Sequence, residues 1–113
     1  MVGKKGFVPD RGDIVWLEFN PQAGREQAGH RPALVLSPKA YNEATGLALM
    51  CPITGRAKGY PFETPLPEGL KLSGVVLSDH LKSLDWRARK ASFACKAPES
   101  VVADVRLKIQ TLI

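Results

Sequence analysis

Cysteine and histidine are scarce in this chain, with two of each in 113 residues. Cys51 and Cys95 sit in apolar runs, and neither has a Cys or His at ligand spacing. That excludes a disulfide framework and gives no reason to expect a metal or another cofactor. The expected state is two buried thiols in a reducing compartment. No apolar run reaches membrane-spanning length, and residues 1–6 lack the apolar core of a secretion signal. No membrane partner is therefore expected, and the expected location is the cytoplasm. Repeats, low-complexity blocks and interdomain linkers are also missing. A chain of this length builds one modest core. The reading is one domain over residues 10–113, preceded by a loosely held arm at 1–9.

Charge is what the chain does have. Lysine and arginine number 16 against 11 acidic residues, a net charge of +5. The surplus favours a polyanionic partner: RNA, DNA or an acidic polypeptide. Charge alone does not choose among them.

Short elements follow one another along the chain. Residues 13–20 alternate Val15, Leu17 and Phe19 with Ile14, Trp16 and Glu18, the period of a strand covered on both faces. Residues 32–37 and 47–53 are short apolar runs and read as buried strands. Between them, Pro38 opens a short helix through Ala44, and Gly46 closes it. Residues 55–59 form a basic loop. Residues 60–66 are an outer strand, because Pro61 and Pro65 bar a central place. Residues 74–78 and 90–96 are further strands. After Pro98 a helix carries Val101, Val102, Val105, Ile109 and Leu112 on one stripe, with Glu99 in its first turn. That helix is expected to pack as structure and not to read nucleic acid. Many short strands with one terminal helix predict a mainly β fold, a small antiparallel barrel with appended helices.

The chemistry gathers in Glu26-Gln27-Ala28-Gly29-His30-Arg31-Pro32. A carboxylate, an amide, an imidazole and a guanidinium fall within six residues. Arg31 presents a rigid fork of donors to phosphate oxygens and stays charged. It suits charge stabilisation, although a surface arginine paired to Glu26 satisfies the same composition. Glu26 can act as a base, orient Arg31 or accept from a base edge. Gln27 can read a base or hold the loop. His30 has the intrinsic pKa for proton transfer, and its neighbours equally suit a half-buried structural histidine. Thr54 stands where an apolar run emerges, placed either to bond phosphate or simply to turn the chain before Gly55. Arg25, Arg56, Lys58, Arg87 and Arg89 can follow an RNA backbone, and Tyr60 or Trp86 can stack on a base. Asp79 and His80 are adjacent; on a strand they would point to opposite faces, which counts against an acid–base pair.

These residues, with Arg11-Gly12-Asp13 before them and Pro38, Tyr41-Asn42, Pro52-Ile53-Thr54 and Trp86-Arg87-Ala88-Arg89 after them, resemble the MazF/PemK (Kid) family of toxin endoribonucleases, closest to the MazF branch. The resemblance runs from about Pro9 to the C-terminus. It implies a Src-homology-three-like barrel of the CcdB/PemK/MazF type, acting as a homodimer. It implies sequence-specific, metal-independent cleavage of single-stranded RNA, mRNA included, to 2′,3′-cyclic phosphate and 5′-hydroxyl ends, inhibiting translation and growth. Arg31 and Thr54 occupy the positions of the family's catalytic pair, with Glu26 assisting. Arg25, Gln27, His30, Arg56, Lys58, Asp79 and His80 are then substrate-binding candidates. Asp79 matches the family pattern, and His80 stands where a glutamine is usual. The Kid branch has a histidine in the first loop where this chain has Arg25. The implied partner is an acidic, MazE-like antitoxin with a disordered tail. A reading of another class is a non-catalytic, CcdB-like toxin that binds DNA gyrase, which has no need of the Arg31/Thr54 pair.

Overall fold

In the computed structural model, which describes residues 6–19 and 29–113, seven strands and two helices are found. In chain order they are β1 (Asp13–Glu18), β2 (His30–Val35), α1 (Lys39–Thr45), β3 (Leu47–Thr54), β4 (Glu63–Pro65), β5 (Val75–Leu77), β6 (Lys82–Asp85), β7 (Ser92–Lys96) and α2 (Glu99–Gln110). All strand pairs are antiparallel. The spatial order is β4-β5-β3-β2-β1-β7, with β6 also on β3. Among the described residues the ends of this path do not pair, so the expected barrel is an open sheet. The mainly β architecture with a C-terminal helix stands as predicted.

The period-two pattern of β1 divides the core in two. Val15, Leu17 and Phe19 join Ala33, Val35, Ala48, Met50, Leu84 and Trp86 on one face. Ile14 joins Leu34, Leu36, Cys51, Ile53 and Val76 on the other, where Val101, Val102 and Val105 of α2 cover it. Each buried branched side chain contributes roughly 1.5–3 kcal/mol relative to exposure. Leu112, expected on the same helical stripe, lies past the end of α2 and is exposed.

β3 organises the sheet. One edge pairs with β2, while the other pairs first with β6 (Leu47–Met50) and then with β5 (Ile53 and Thr54). Pro52, which has no N–H to offer a ladder, stands where β3 leaves β6 for β5. Leu47–Thr54 is a residue longer than the apolar run predicts, and that added residue is Thr54.

The outer strand is at an edge as its prolines require, but it spans only Glu63–Pro65. Residues 60–63 are a turn, closed by Glu63 N–H donating to Tyr60 O at 3.1 Å. β6 was not foreseen: Lys-Ser-Leu-Asp offers one buried side chain, Leu84, which is too short a pattern to read.

Helix α1 ends at Gly46 in the left-handed conformation, φ 75°, as predicted. Its first turn is satisfied from a distance, since Pro38 supplies no side-chain cap. The Asp10 carboxylate instead accepts from Lys39 N–H at 2.9 Å and Arg11 N–H at 2.8 Å. These bonds, Lys39's first, hold the Asp10 carboxyl below its ordinary pKa. Within residues 6–9, the described part of the expected arm at 1–9, Pro9 is buried and Phe7 packs edge-on against Phe93.

Candidate active site

The two candidate catalytic residues stand at adjacent ends of the neighbouring antiparallel strands β2 and β3, beyond the last pair of their ladder. β2 and β3 pair Ala33 with Pro52, Leu34 with Cys51 and Val35 with Met50. Continued outward by two residues, this register aligns Arg31 with Thr54. Two-residue steps preserve the face of a strand, so both lie on the face that carries Ala33, Val35 and Met50. Arg31 is exposed at the start of β2, and Thr54 is half-buried at the end of β3.

The local chain fixes Thr54. Its Oγ1 accepts from Arg56 N–H at 3.2 Å, a side-chain turn that leaves the hydroxyl hydrogen available for an outside acceptor. Behind it, β5 approaches closely at Gly74, φ +136°. A Cβ there would stand 2.3 Å from the Thr54 carbonyl oxygen. Only glycine permits both the backbone angle and the approach.

Beside Thr54 opens a cavity of about 320 Å³, lined by Thr54, Arg56, Lys58, Tyr60, Glu63, Leu77, Asp79 and His80. Arg56, Lys58 and Tyr60 belong to the loop from β3 to β4. That loop is held by Glu63, a buried residue whose Oε2 accepts from Lys58 N–H at 2.9 Å and whose Oε1 accepts from Gly59 N–H at 3.0 Å. Helix α2 buttresses the arrangement, because Lys108 Nζ donates to the Glu63 carbonyl oxygen at 2.8 Å. The same ammonium pairs with Asp104 at 2.8 Å, and Asp104 also accepts from Thr64 Oγ1 at 2.7 Å. The Lys108 bond, then that of Thr64, holds the Asp104 carboxyl below its ordinary pKa.

Asp79 and His80 line one cavity instead of facing apart. β5 ends at Leu77, and the turn that follows, with His80 N–H donating to Leu77 O at 3.0 Å, breaks the alternation that a strand would impose. His80 Nε2 lies 3.8 Å from Asp79 Oδ1, both exposed. Cys51 lies behind this wall, its Sγ 3.7 Å from Ser78 O. Burial, and secondarily the Asp79 charge, pushes its thiol up to about 12, so it supplies no nucleophile at neutral pH. Cys95 is half-buried instead of fully enclosed, and it too is a free thiol. Among the described residues no cluster of His, Cys, Asp or Glu could hold a metal ion.

The other residues singled out by the sequence distribute as follows. Arg25, Glu26 and Gln27 lie outside the described residues. His30 stacks on Trp16, ring centroids 5.5 Å apart, and strand alternation turns it to the face opposite Arg31. Trp86 is a core residue whose Nε1–H donates to Asn42 O at 3.0 Å, so its ring is no stacking platform for a base. Arg87 lies over that ring at 4.6 Å, and Arg89 donates to Glu18 O. Tyr60, 61% exposed on the cavity, keeps the stacking role open. Glu63, Gly74 and Lys108 escaped the sequence reading. Glu63 carried a faint signal, a carboxylate just after the turn-forming Gly59-Tyr60-Pro61. Gly74 and Lys108 carried none, because their partners are far away in sequence.

Comparison with known proteins gives the family and the fold. Residues 10–113 match the family model described as PemK-like, MazF-like toxin of type II toxin–antitoxin systems. The endoribonuclease toxin MazF of Escherichia coli K12 is 50% identical over 108 residues, 95% of this chain and 96% of that protein. The crystal structure of MazF from Deinococcus radiodurans superposes with a TM-score of 0.91 at 61% identity, covering 95% of this chain and 97% of that one. A MazE–MazF complex from the same organism gives 0.86 at 55% identity, covering 95% and 96%. A matching family model over residues 10–113, together with relatives alike in sequence and shape across nearly the whole chain, shows that the chain belongs to the PemK-like, MazF-like toxin family of type II toxin–antitoxin systems.

Proposed function

We propose that this toxin cleaves single-stranded RNA by transesterification, with Arg31 and Thr54 at the reacting phosphate. Such cleavage needs three things. The 2′-hydroxyl must lose a proton and attack phosphorus in line, the 5′-oxygen must leave with a proton, and the charge on the phosphoryl oxygens must meet fixed donors. Arg31 supplies a permanent guanidinium for that charge. Thr54, its oxygen fixed by Arg56 N–H, donates its hydroxyl to a phosphoryl oxygen. Glu26, which precedes β2 in the sequence, takes or returns a proton, and its neighbours Arg25 and Gln27 bind the RNA strand with it. Arg56 and Lys58 hold flanking phosphates, while Asp79 and His80 offer an acceptor and a donor to a base edge. His30 stabilises the start of β2 through Trp16 and meets RNA only outside the cavity. The products are a 2′,3′-cyclic phosphate and a 5′-hydroxyl. Single-stranded substrate follows from the need to present an unpaired base edge. The alignment of Arg31 with Thr54 beside the basic cavity carries the reading.

An acidic antitoxin competes with RNA for the same basic loop, as charge complementarity favours. A second copy covers exposed apolar side chains such as Leu107, 63% exposed, and Ile113, 94% exposed. No helix among the described residues is long and apolar enough to cross a membrane, and the cytoplasm is the proposed site of action.

The test is cleavage of a long defined RNA by purified protein in excess EDTA, wild type beside Arg31→Ala, with mapped ends. Discrete cuts bearing cyclic phosphate are expected, reduced roughly 10²–10³-fold in a folded Arg31→Ala variant. Growth arrest in cells that survives Arg31→Ala undiminished would reject this reading in favour of gyrase binding.

A further inference from the structure

Glu63 is out of place in a cavity that meets a polyanion. It is an acidic side chain on the cavity wall, yet it is buried and its oxygens face into its own loop. Lys58 N–H reaches Oε2 at 2.9 Å and Oε1 at 3.2 Å, and Gly59 N–H reaches Oε1 at 3.0 Å. The cationic groups of Arg56 and Lys58 are not its partners; the backbone N–H groups of Lys58 and Gly59 are. Its main chain is tied as firmly, with N–H donating to Tyr60 O and C=O accepting from Lys108 of α2. One residue therefore fixes the loop at Lys58, Gly59 and Tyr60, and it joins that loop to the helix behind the sheet.

The geometry points to Glu63 as a positioning residue for RNA binding. Its carboxylate folds the β3–β4 loop so that Arg56, Lys58 and Tyr60 line the cavity beside Thr54, while it touches neither the reacting phosphodiester nor the cations. Its carboxylate accepts from two backbone N–H donors of its own loop, so it does not take up the cationic groups that an incoming phosphate would meet. An apolar residue at position 63 would leave both amides without their acceptor and release the loop. This inference rests on the RNA-cleaving reading above.

The experiment separates the two. Binding of an oligoribonucleotide made uncleavable by 2′-O-methyl substitution throughout is measured by fluorescence anisotropy across a salt series. Cleavage of the all-ribo oligonucleotide gives kcat and KM. Wild type, Glu63→Ala, Glu63→Gln, the double variant Arg56→Ala/Lys58→Ala, and that double variant combined with Glu63→Ala are compared, with thermal unfolding of each. Glu63→Ala is expected to weaken binding about tenfold and to raise KM more than it lowers kcat. Its salt dependence should lose about 1.4 in slope, near 0.7 for each of two lost phosphate contacts. Glu63→Gln, which keeps one acceptor oxygen, recovers part of the loss. In the Arg56→Ala/Lys58→Ala background, adding Glu63→Ala should cost almost nothing further in binding, because the two act as one unit. Binding and KM like wild type in Glu63→Ala, or an equal loss with and without Arg56 and Lys58, overturns the positioning role. If Glu63→Ala does not fold, Glu63→Gln in the two backgrounds decides by the same comparison. A wild type that binds without cleaving removes the nuclease reading and leaves the Glu63 arms readable; a wild type that does neither removes both.

Discussion

Two buried polar side chains, Asn42 and Glu63, each hold a loop to the sheet, and they do so with different chemistry. Asn42 is fully enclosed in α1. Its Nδ2 donates to Pro9 O at 2.8 Å and to Ser37 O at 3.0 Å, its Oδ1 accepts from Ser37 Oγ, and its main-chain carbonyl accepts from Trp86. All its partners belong to packed structure: the N-terminal segment at Pro9, the buried Ser37 between β2 and α1, and a core tryptophan. Glu63 is charged, stands on a cavity wall and holds a loop whose outward side chains are exposed. A neutral amide satisfied on every side fixes a fold. A carboxylate satisfied only by backbone N–H groups fixes the placement of other charges. The contrast predicts that damage at Asn42 appears in stability and damage at Glu63 appears in RNA affinity.

The strongest way to break that contrast is Asn42→Ala. It strands the Ser37 hydroxyl and two carbonyl acceptors and opens a small void, at a cost of roughly 3 kcal/mol. A fall in Tm of about 10–20 °C is expected by differential scanning calorimetry. Cleavage per folded molecule, measured well below that Tm, should match wild type. A drop in specific activity comparable to that of Glu63→Ala would show that the two anchors are not separate devices.

Gly74→Ala lies on the Glu63 side and should join both readouts. The added methyl meets Thr54 O at 2.3 Å and Thr54 C at 3.0 Å, both backbone atoms that cannot swing away. The positive φ adds strain, for a total of about 2 kcal/mol. Relief of the clash has to move β5 or Thr54. Activity per folded molecule is therefore expected to fall with stability, which urea unfolding and initial cleavage rates report together. A variant destabilised yet fully active would mean that Thr54 is not held by β5.

How much of this was legible in the sequence follows from the range of the interactions. Local signals were sound: the alternation in β1, Pro38 and Gly46 around α1, and the valine stripe of α2 each depend on neighbours in the chain. Arg31 and Thr54 stood out because they flank two apolar runs whose pairing lines them up. Strand alternation counted against Asp79 and His80 as a pair, but the predicted strand 74–78 stops before them, and the turn after Leu77 puts both on one cavity. Glu63 looked like any acid after a turn. Its meaning needs the loop folded back over it, and that fold depends on the Lys108 bond, 45 residues away. The indole of Trp86, a candidate for base stacking, is tied to Asn42 across 44 residues, a link that no local pattern announces.

The smallest expected effect compares the same two regions through acid. Asp10 serves the Asn42 side, binding Lys39 N–H at the start of α1, and Asp104 serves the Glu63 side, binding Lys108. Both carboxyls have folded-state pKa values below the ordinary 3.8. A depressed carboxyl binds protons more readily in the unfolded chain. Its stabilisation is therefore complete above the unfolded pKa, near 4, and is lost as pH falls through the folded value. Asp10→Asn and Asp104→Asn should each flatten the acid limb of a stability profile below about pH 4 and leave its slope near neutrality unchanged. Asp104 is half exposed, so added salt should weaken its contribution. Asp10 acts on backbone amides first, and its contribution should resist salt better. At neutral pH the two variants should differ in RNA binding. Asp104→Asn loosens the lysine that holds the Glu63 carbonyl and is expected to weaken affinity about twofold, whereas Asp10→Asn leaves affinity untouched, a pairing that anisotropy titrations at fixed salt can resolve.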